Sequence, residues 1–188
     1  MEKVGTLRHD GLPFPAMADL ARLIENVPDW PKPGVVFKDI TPLLRDPAAL
    51  SLAVEYMAQP YRGKHIDAVA SAESRGFIFG VAVAQNISAG FVPIRKPGKL
   101  PREVRTAEYA LEYGVDKLQN HVDAVKPGDK VLLVDDVLAT GGTMTACCKL
   151  VEDLGAEVAG VAVLIELGFL HGRQTLGKYD VHSVIYVP

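Results

Sequence analysis

The chain has 188 residues, of which 48% are hydrophobic and 23% are charged. This composition is ordinary for a globular protein, and no apolar run approaches the ~20 residues that a membrane-spanning helix needs. The length fits one compact domain, so we expect no second folding unit. The formal net charge of -3 gives no support to nucleic-acid binding, so any anion recognition is expected to be local.

The two cysteines, Cys147 and Cys148, are adjacent. A disulfide between neighbouring cysteines would close no loop of the chain, and these two lack the spacing of a metal or redox motif. We expect both to pack as reduced thiols. The N-terminus contains no apolar stretch of signal-peptide length, so the cytoplasm is the expected compartment.

The N-terminal part is predicted to hold two helices separated by a proline-rich segment. Apolar residues at helical spacing predict the first helix over about 16–27. The next stretch, 28–44, contains four prolines and is predicted to be extended and stiff rather than a regular element. Asp46 as the N-cap and Pro47 at the first helical position predict a second helix to about residue 58.

From residue 66 onward, apolar strands alternate with helical patterns. Strands are predicted at 66–71, 91–95, 107–113, 130–136, 157–167 and 181–188, and helices at 75–87, 141–155 and about 170–178. This alternation predicts an α/β fold with a parallel sheet covered on both faces.

The segment 96–120 interrupts the alternation. It is long and polar, with only a marginal strand near its end, and it carries Lys96, Lys99, Arg102 and Arg105. Long segments of this kind are usually lids or binding loops, so a lid is predicted here. For Arg102 and Arg105, a solvated surface and an anion-binding lid fit the sequence equally well.

The run VLLVDDVLATGGTMTA (131–146) combines a buried strand, two carboxylates and a glycine turn. In parallel α/β sheets, ligands bind where a strand turns into a helix. The turn offers helix N-terminal N–H groups and threonine hydroxyls to a phosphate. Asp135 and Asp136 would repel that phosphate and are better suited to accept hydrogen bonds from hydroxyls. A phosphorylated sugar would suit both parts of the run, because its phosphate would bind the turn and its hydroxyls would donate to the carboxylates.

Other interpretations of this run are weaker. A Gly-Gly turn by itself is more typical of a plain helix cap, but the adjacent carboxylates favour a ligand site. The sequence lacks GxGxxG after a strand, and no lysine follows Gly142 as a nucleotide-triphosphate loop requires. The stretch from Gly172 to Lys178 has the glycines and lysine of that loop, but Tyr179 replaces the Ser/Thr. We interpret this similarity as accidental.

The thirteen residues VLLVDDVLATGGT resemble the phosphoribosyl-diphosphate (PRPP) motif of type I phosphoribosyltransferases. The segments PDWPKPGVVFKDITPLLRDP, ESRGFIFG, IRKPGKLP, LEYG and LIEL occur in the order seen in the adenine-specific branch of that family. The resemblance runs from about residue 20 to 176. It implies the type I fold: a mostly parallel sheet flanked by helices, a hood and arm over about 1–45, a core over about 46–188 and a mobile lid over about 96–120.

The resemblance also implies a reaction. The 5-phosphoribosyl group of PRPP would move to N9 of adenine, giving AMP and diphosphate in purine salvage. Mg²⁺ is expected as a cofactor held mainly through PRPP, without a dedicated protein metal site. Members of the family are commonly homodimers, so a homodimer is expected.

For the phosphoribosyl group, the resemblance assigns the 5-phosphate to Ala139, Thr140, Gly141, Gly142 and Thr143. Asp135 and Asp136 would face the ribose hydroxyls. Breaking the bond from ribose C1 to diphosphate builds positive charge on the ring, and carboxylates placed there in advance stabilise that charge.

For the diphosphate, the resemblance assigns Arg75 together with Arg95, Lys96 and Lys99, some of them donated by a dimer partner. Arg75 is otherwise a solvated residue at a helix start. A cation disfavours a helix N-terminus through the dipole, and this local conflict favours a functional role.

For the base, the resemblance places a proton-handling glutamate at Glu112, beside Tyr113. Adenine would lie against Val36, Phe37 and Lys38, with Leu167 covering its other face. From sequence alone, Val36 and Phe37 are typical of ordinary core. Lys38 is often Arg in relatives, and Glu73 stands where some relatives carry Asp.

Two alternative functions remain open. The first is a phosphoribosyltransferase for another purine base, such as hypoxanthine, guanine or xanthine. The second is a PRPP-sensing regulator that binds nucleic acid. The regulator is disfavoured because the chain is acidic and has no room for a separate binding module.

Overall fold

The computed structural model describes residues 17–110 and 115–188. Contacts divide the chain into two units, Met1–Tyr56 and Met57–Pro188, which are described separately. Within the described ranges, no helix is long and apolar enough to cross a membrane.

The described part of the first unit begins with helix α1 (Met17–Arg22) and a two-stranded antiparallel sheet, β1 (Glu25–Pro28) with β2 (Val36–Asp39). Helix α2 (Thr41–Arg45) follows β2. Helix α3 (Pro47–Ala58) comes next and begins at the predicted residue. The carboxylate of Asp46 accepts the N–H groups of Ala48 and Ala49 at 2.9 and 3.0 Å, which confirms the predicted N-cap.

Two predictions for the first unit are wrong. The predicted helix over 16–27 ends at Arg22, because the next residues pair with β2 and Pro28 disfavours helical conformation before it. Val27, which completed the apolar periodicity, is exposed on β1. The segment 28–44, predicted to lack regular structure, contains β2 and α2. Its Pro42 is accommodated in the first turn of α2, where a backbone N–H has no helical partner.

The second unit is built on a five-stranded parallel sheet with the order β4-β3-β7-β8-β9. Its strands are β3 (Ala68–Ala72), β4 (Gly90–Ile94), β7 (Lys130–Leu138), β8 (Glu157–Leu167) and β9 (Val181–Val187). The principal helices are α4 (Gly76–Asn86) and α5 (Gly142–Glu152), and α6 (Gly172–Thr175) is a single short turn after a 3-10 turn at Gly168–Leu170.

Helices cover both faces of this sheet. Ala68, Ala70 and Ala72 of β3 pack in one cluster with Cys147 and Leu150 of α5. Ser71 points to the opposite face, since a Cβ on Gly80 of α4 would come 2.1 Å from its hydroxyl. The predicted α/β class and parallel sheet are confirmed, and these predicted strands and the two main helices match the structure within three residues.

The segment 96–120 is more regular than predicted: the strand expected at 107–113 lies at Val104–Ala110, and a second strand that was not predicted follows it. Residues 104–110 and 115–121 form an antiparallel pair, β5 (Val104–Ala110) with β6 (Val115–His121). Ala107 and Leu118 face each other across the pair and are buried in the core cluster. The backbone of Gln119 also exchanges two hydrogen bonds with Arg95. Burial of one face of the β5–β6 pair and the hydrogen bonds to Arg95 stabilise β6. The polar sequence VDKLQNH did not indicate a strand.

Candidate active site

The glycine turn predicted to hold a phosphate connects β7 to α5. Gly141 caps α5 in the left-handed region at φ 88°. An added Cβ there would come 2.8 Å from the carbonyl oxygen of Gly172, so both conformation and space require glycine. The first N–H groups of α5 have no intrahelical acceptors and, with the helix dipole, form an anion-binding end. The predicted geometry of this turn is therefore present.

The acidic pair lies at the end of β7, immediately before this turn. Asp136 is only 5% exposed, whereas Asp135 is half-buried. The Asp136 N–H donates to Oδ1 of Asp135 at 2.9 Å. Burial, followed by the charge of Asp136, raises the pKa of Asp135 well above its usual range. Burial also raises the pKa of Asp136, although Arg75 opposes that shift.

Arg75 precedes α4 and meets the acidic pair across the sheet edge. Its Nε lies 2.8 Å from Oδ2 of Asp136. The contact is an ion pair outside hydrogen-bond geometry, so Oδ2 is buried without a hydrogen-bond donor among the described residues. The structure thus brings together Arg75 and Asp136, two of the predicted catalytic residues, as a largely buried ion pair.

Gly76 allows this close approach of α4 to β7. An added Cβ at Gly76 would lie 2.8 Å from Oδ1 of Asp135 and 3.4 Å from Cβ of Ser71. Contacts under 3 Å force neighbouring atoms to move. Gly76 is therefore required for the close packing beside the acidic pair, and the sequence prediction did not single it out.

Two further predicted cations lie beyond β4 and are paired with carboxylates. Arg95 donates through Nε to Glu73, and its guanidinium lies 5.8 Å from the ring centre of Phe77. Lys96 Nζ lies 3.2 Å from Oδ2 of Asp116 on β6. Sequence reasoning did not predict either pairing, because the partners are 22 and 20 residues away in sequence.

These pairings set the charges of the carboxylates. Burial alone would raise the pKa of Glu73, but hydrogen bonds from Arg95 and the Lys96 backbone hold it below its ordinary value. The Lys117 backbone N–H and the Lys96 ammonium lower the pKa of Asp116. Both carboxylates are therefore ionised at neutral pH and hold the two cations in place. Lys99 is exposed on the following turn, and its charge contributes to the lowered pKa of Glu73.

The hairpin formed by β5 and β6 reaches the first turn of α5, next to the glycine turn. The hydroxyl of Tyr109 donates to Oδ2 of Asp116 at 3.1 Å and also interacts with the side chain of Thr143. One side chain thus joins the hairpin, the Lys96 ion pair and the first turn of α5. This contact could not be predicted from the sequence, because Tyr109 and Thr143 lie on different elements that meet only in the folded chain.

The remaining predicted residues are distributed as follows. Val36, Phe37 and Lys38 form β2 of the first unit, where Lys38 donates to Oδ1 of Asn26 at 2.6 Å. The rings of Phe37 and Trp30 lie 4.3 Å apart. Leu167 ends β8 in the second unit and is buried. Glu112 and Tyr113 lie outside the described residues.

Comparison with known proteins identifies the fold and the family. A model of the phosphoribosyl transferase domain matches residues 39–184. The adenine phosphoribosyltransferase of Nitrosococcus oceani is 56% identical over 170 residues, covering 90% of this chain and 99% of that protein. The chain belongs to the adenine phosphoribosyltransferase family.

Solved structures of adenine phosphoribosyltransferases share the fold. The enzyme from Thermoanaerobacter pseudethanolicus has a TM-score of 0.89 at 48% identity, covering 92% of this chain and all of that one. The Saccharomyces cerevisiae enzyme has a TM-score of 0.84 at 35% identity, covering 89% and 97%. It was crystallised with adenine and an imino-altritol bisphosphate. The resemblance predicted from the motifs is confirmed at the level of fold and family.

Proposed function

We propose that this transferase moves the 5-phosphoribosyl group of PRPP to N9 of adenine, producing AMP and diphosphate in purine salvage. The observation that carries the proposal is the acidic pair Asp135 and Asp136, held between a glycine turn at a helix N-terminus and the guanidinium of Arg75. An anion cradle, hydroxyl acceptors and a cation at one sheet edge are the groups that a phosphorylated ribose with a diphosphate leaving group requires.

The 5-phosphate would bind the turn Ala139–Thr143. Backbone N–H groups at the start of α5 donate to its oxygens, and the hydroxyls of Thr140 and Thr143 add two donors. Gly141 and Gly142 allow the phosphate to come close to the backbone. The positive end of the helix dipole stabilises the dianion without a formal charge on the turn.

Asp135 and Asp136 would accept hydrogen bonds from the ribose hydroxyls. As the bond between C1 and diphosphate breaks, positive charge develops on the sugar ring. Ionised carboxylates already fixed beside the ring stabilise that charge without rearranging. Asp135 is the more accessible of the two carboxylates, whereas Oδ2 of Asp136 is buried against the guanidinium of Arg75.

The leaving diphosphate would be held by Arg75, Arg95, Lys96 and Lys99. Three of these cations are paired with Asp136, Glu73 and Asp116, so each carboxylate holds its cation in position before substrate arrives. Charge-assisted hydrogen bonds from guanidinium and ammonium groups suit diphosphate oxygens. A second subunit would donate part of this set.

Mg²⁺ fits this arrangement as an ion carried by PRPP. The described residues contain no cluster of three or more His, Cys, Asp or Glu side chains that would form a protein cage. Mg²⁺ typically binds one or two carboxylates together with substrate phosphates, and the Asp135–Asp136 pair provides carboxylates at the site. When bound, the ion would neutralise charge on the diphosphate.

Adenine would bind in part against Val36, Phe37 and Lys38. A flat, mostly apolar base suits such aromatic and aliphatic surfaces. Glu112, beside Tyr113, would handle the proton on the imidazole side of the base. The hairpin of β5 and β6 would serve as the lid that keeps water from the reactive sugar.

The proposed molecule is a cytoplasmic homodimer, with a hood over about 1–45 and a core over about 46–188. The free thiols of Cys147 and Cys148 are both buried, and burial raises the pKa of Cys148 to about 12, which suits a reduced compartment. Ile78 and Val81 stand one helical turn apart on α4, and each is 41% exposed. A subunit contact would cover this apolar pair.

The proposed reaction is tested by incubating the protein with PRPP, Mg²⁺ and each of four bases: adenine, hypoxanthine, guanine and xanthine. We expect nucleotide formation with adenine at a kcat/KM at least about 100-fold above that of any oxo-purine, because oxo-purines present an acceptor where adenine has an amino donor. Activity only with an oxo-purine would assign the enzyme to another base, and no nucleotide with any base would refute the proposal.

A further inference from the structure

The turn Ala139–Thr143, proposed to bind the 5-phosphate, packs against a segment that has no assigned role. Helix α6, Gly172–Thr175, packs against the side of the turn opposite to its expected ligand. The hydroxyl of Thr175 donates to the carbonyl oxygen of Thr140 at 3.0 Å. Gly172 lies so close that an added Cβ would be 2.1 Å from the carbonyl oxygen of Ala139. Two consecutive carbonyl groups of the turn therefore face α6.

The direction of these carbonyls determines the direction of the N–H groups. In a trans peptide, C=O and N–H point to opposite sides, and neither peptide in this turn is cis. The N–H of Thr140 shares a peptide with the Ala139 carbonyl, and the N–H of Gly141 shares one with the Thr140 carbonyl. Both N–H groups consequently point away from α6. Successive N–H groups that point to one side form a concave anion site.

The α6 segment is itself fixed to the sheet. Arg173 donates to both carboxylate oxygens of Glu166, at 2.8 and 2.5 Å, and to the carbonyl of Val181 at 2.6 Å. Ser183 donates to Glu166 at 2.7 Å, and Glu166 is buried. These bonds attach α6 to both β8 and β9. A hydroxyl on such a support holds its acceptor in a defined orientation.

We propose that Thr175 is a positioning residue for the 5-phosphate site, acting through the Thr140 carbonyl to aim the Gly141 N–H at the phosphate. This inference rests on the proposed function. It assigns to Thr175 an effect on phosphate recognition and none on the base or on the chemical step, because its hydroxyl contacts only the back of the turn. The same contact gives this segment a role in supporting the turn after β7.

The test is a set of three variants measured with PRPP and adenine. Thr175→Val keeps the branched shape and removes the donor, Thr175→Ser keeps the donor, and Gln174→Ala changes an exposed neighbour in the same turn. Loss of one hydrogen bond should raise the KM for PRPP and the Kd for AMP about three- to ten-fold in Thr175→Val. The KM for adenine and kcat should stay within about two-fold. Thr175→Ser and Gln174→Ala should match wild type.

Several results would overturn the inference. They are an unchanged KM for PRPP in Thr175→Val, an equal rise in the KM for adenine, or the same loss in Gln174→Ala. Failure of Thr175→Ser to restore the KM would also overturn it. Thr175 is exposed, so all variants should keep the wild-type Tm. A wild-type protein that makes no AMP refutes the proposed function and this inference together, whereas an active wild type with an unaffected Thr175→Val refutes the inference alone.

Discussion

Asp135 is held where its charge is unfavourable for folding. It is half-buried at the end of β7, beside Asp136, with the backbone of Gly76 against its Oδ1. Burial and the neighbouring charge raise its pKa, so the folded chain disfavours the ionised form. The proposed reaction needs that ionised form to stabilise positive charge on the ribose. Such a conflict between stability and activity is typical of active-site residues.

Asp135→Asn should therefore separate activity from substrate binding. The amide keeps the shape and a hydrogen-bond acceptor but loses the charge that stabilises the developing cation. We expect kcat to fall at least about 100-fold, while the Kd for PRPP changes by less than about ten-fold. Steady-state kinetics and equilibrium binding check both values. Asp153→Asn, at an exposed carboxylate on the surface after α5, is the matched control, and a kcat for Asp135→Asn equal to wild type would contradict the assigned role.

The same substitution should stabilise the fold at neutral pH. Because the folded pKa of Asp135 is raised, its destabilising contribution is absent below the unfolded pKa and complete once the pH exceeds the folded pKa. Asp135→Asn should thus have a higher Tm than wild type at pH 7, and this gain should shrink as the pH is lowered. Thermal unfolding followed between pH 7 and pH 4 tests the sign, and a lower Tm at pH 7 would show that the charge is compensated.

The candidate site residues could be proposed from the sequence, but their partners could not. Asp135, Asp136 and the glycine turn are contiguous, so their chemistry can be inferred from local pattern alone. Arg75 was predicted from resemblance and from its unfavourable place at a helix start. The carboxylates Glu73 and Asp116, which hold Arg95 and Lys96, come from other elements, and so does Thr175. Their contacts depend on tertiary packing, so the local sequence does not predict which residues they pair with.

Among the elements, α4 determines how closely Arg75 approaches β7. Gly76 begins this helix with its Cα directly over Asp135 and Ser71. The approach is possible only because residue 76 has no side chain. The start of α4, the end of β3 and the end of β7 therefore form one packed unit, and a change in the helix start is expected to reach the acidic pair.

Gly76→Ala tests that coupling. Its Cβ would lie 2.8 Å from Oδ1 of Asp135, so either the carboxylate or the first turn of α4 must shift. Displacement of a catalytic group by about 1 Å can reduce the rate about 100-fold, and we expect kcat/KM to fall at least about ten-fold. Gly90→Ala, where an added Cβ would approach only the Asp67 carbonyl at 3.4 Å, should retain wild-type kinetics. Equal kcat/KM values for the two variants would contradict the coupling.

Elements with an apolar pattern could be predicted from the sequence, and strand β6, with its polar sequence, could not. Strands β3, β7 and β8 are continuous apolar runs because helices cover both sides of the sheet. Strand β6 has a polar sequence because only Leu118 and Asn120 of its described side chains are buried. The predicted helix over 16–27 was too long. Its apolar residues do have helical spacing, but the last of them lie in β1, which pairs with β2.

For the whole molecule, the apolar surface of α4 bears on the proposed homodimer. The chain has a mass of 20.3 kDa, and its exposed Ile78 and Val81 lie on α4, the helix that Arg75 immediately precedes. A subunit contact on this helix would be continuous with the diphosphate site. That placement is consistent with a partner that contributes cations to the site.

Light scattering after size-exclusion chromatography tests the assembly. We expect a mass about twice that of the chain for wild type. Val81→Glu should shift the mass toward that of one chain and lower kcat/KM for PRPP at least about ten-fold, because burying an unpaired charge in an interface opposes association. Gln85→Glu places the same charge at another exposed position of α4 and should remain a dimer. A wild-type mass of one chain would contradict the proposal.

The proposed function requires the phosphoribosyl group to lie against the turn after β7 and the acidic pair, and a crystal structure with AMP would show its position. We expect the phosphate oxygens within about 3 Å of the N–H groups of Gly141, Gly142 and Thr143, with the ribose hydroxyls donating to Asp135 and Asp136. A phosphate bound away from the turn after β7, or a ribose that leaves both carboxylates without hydroxyl partners, would contradict it.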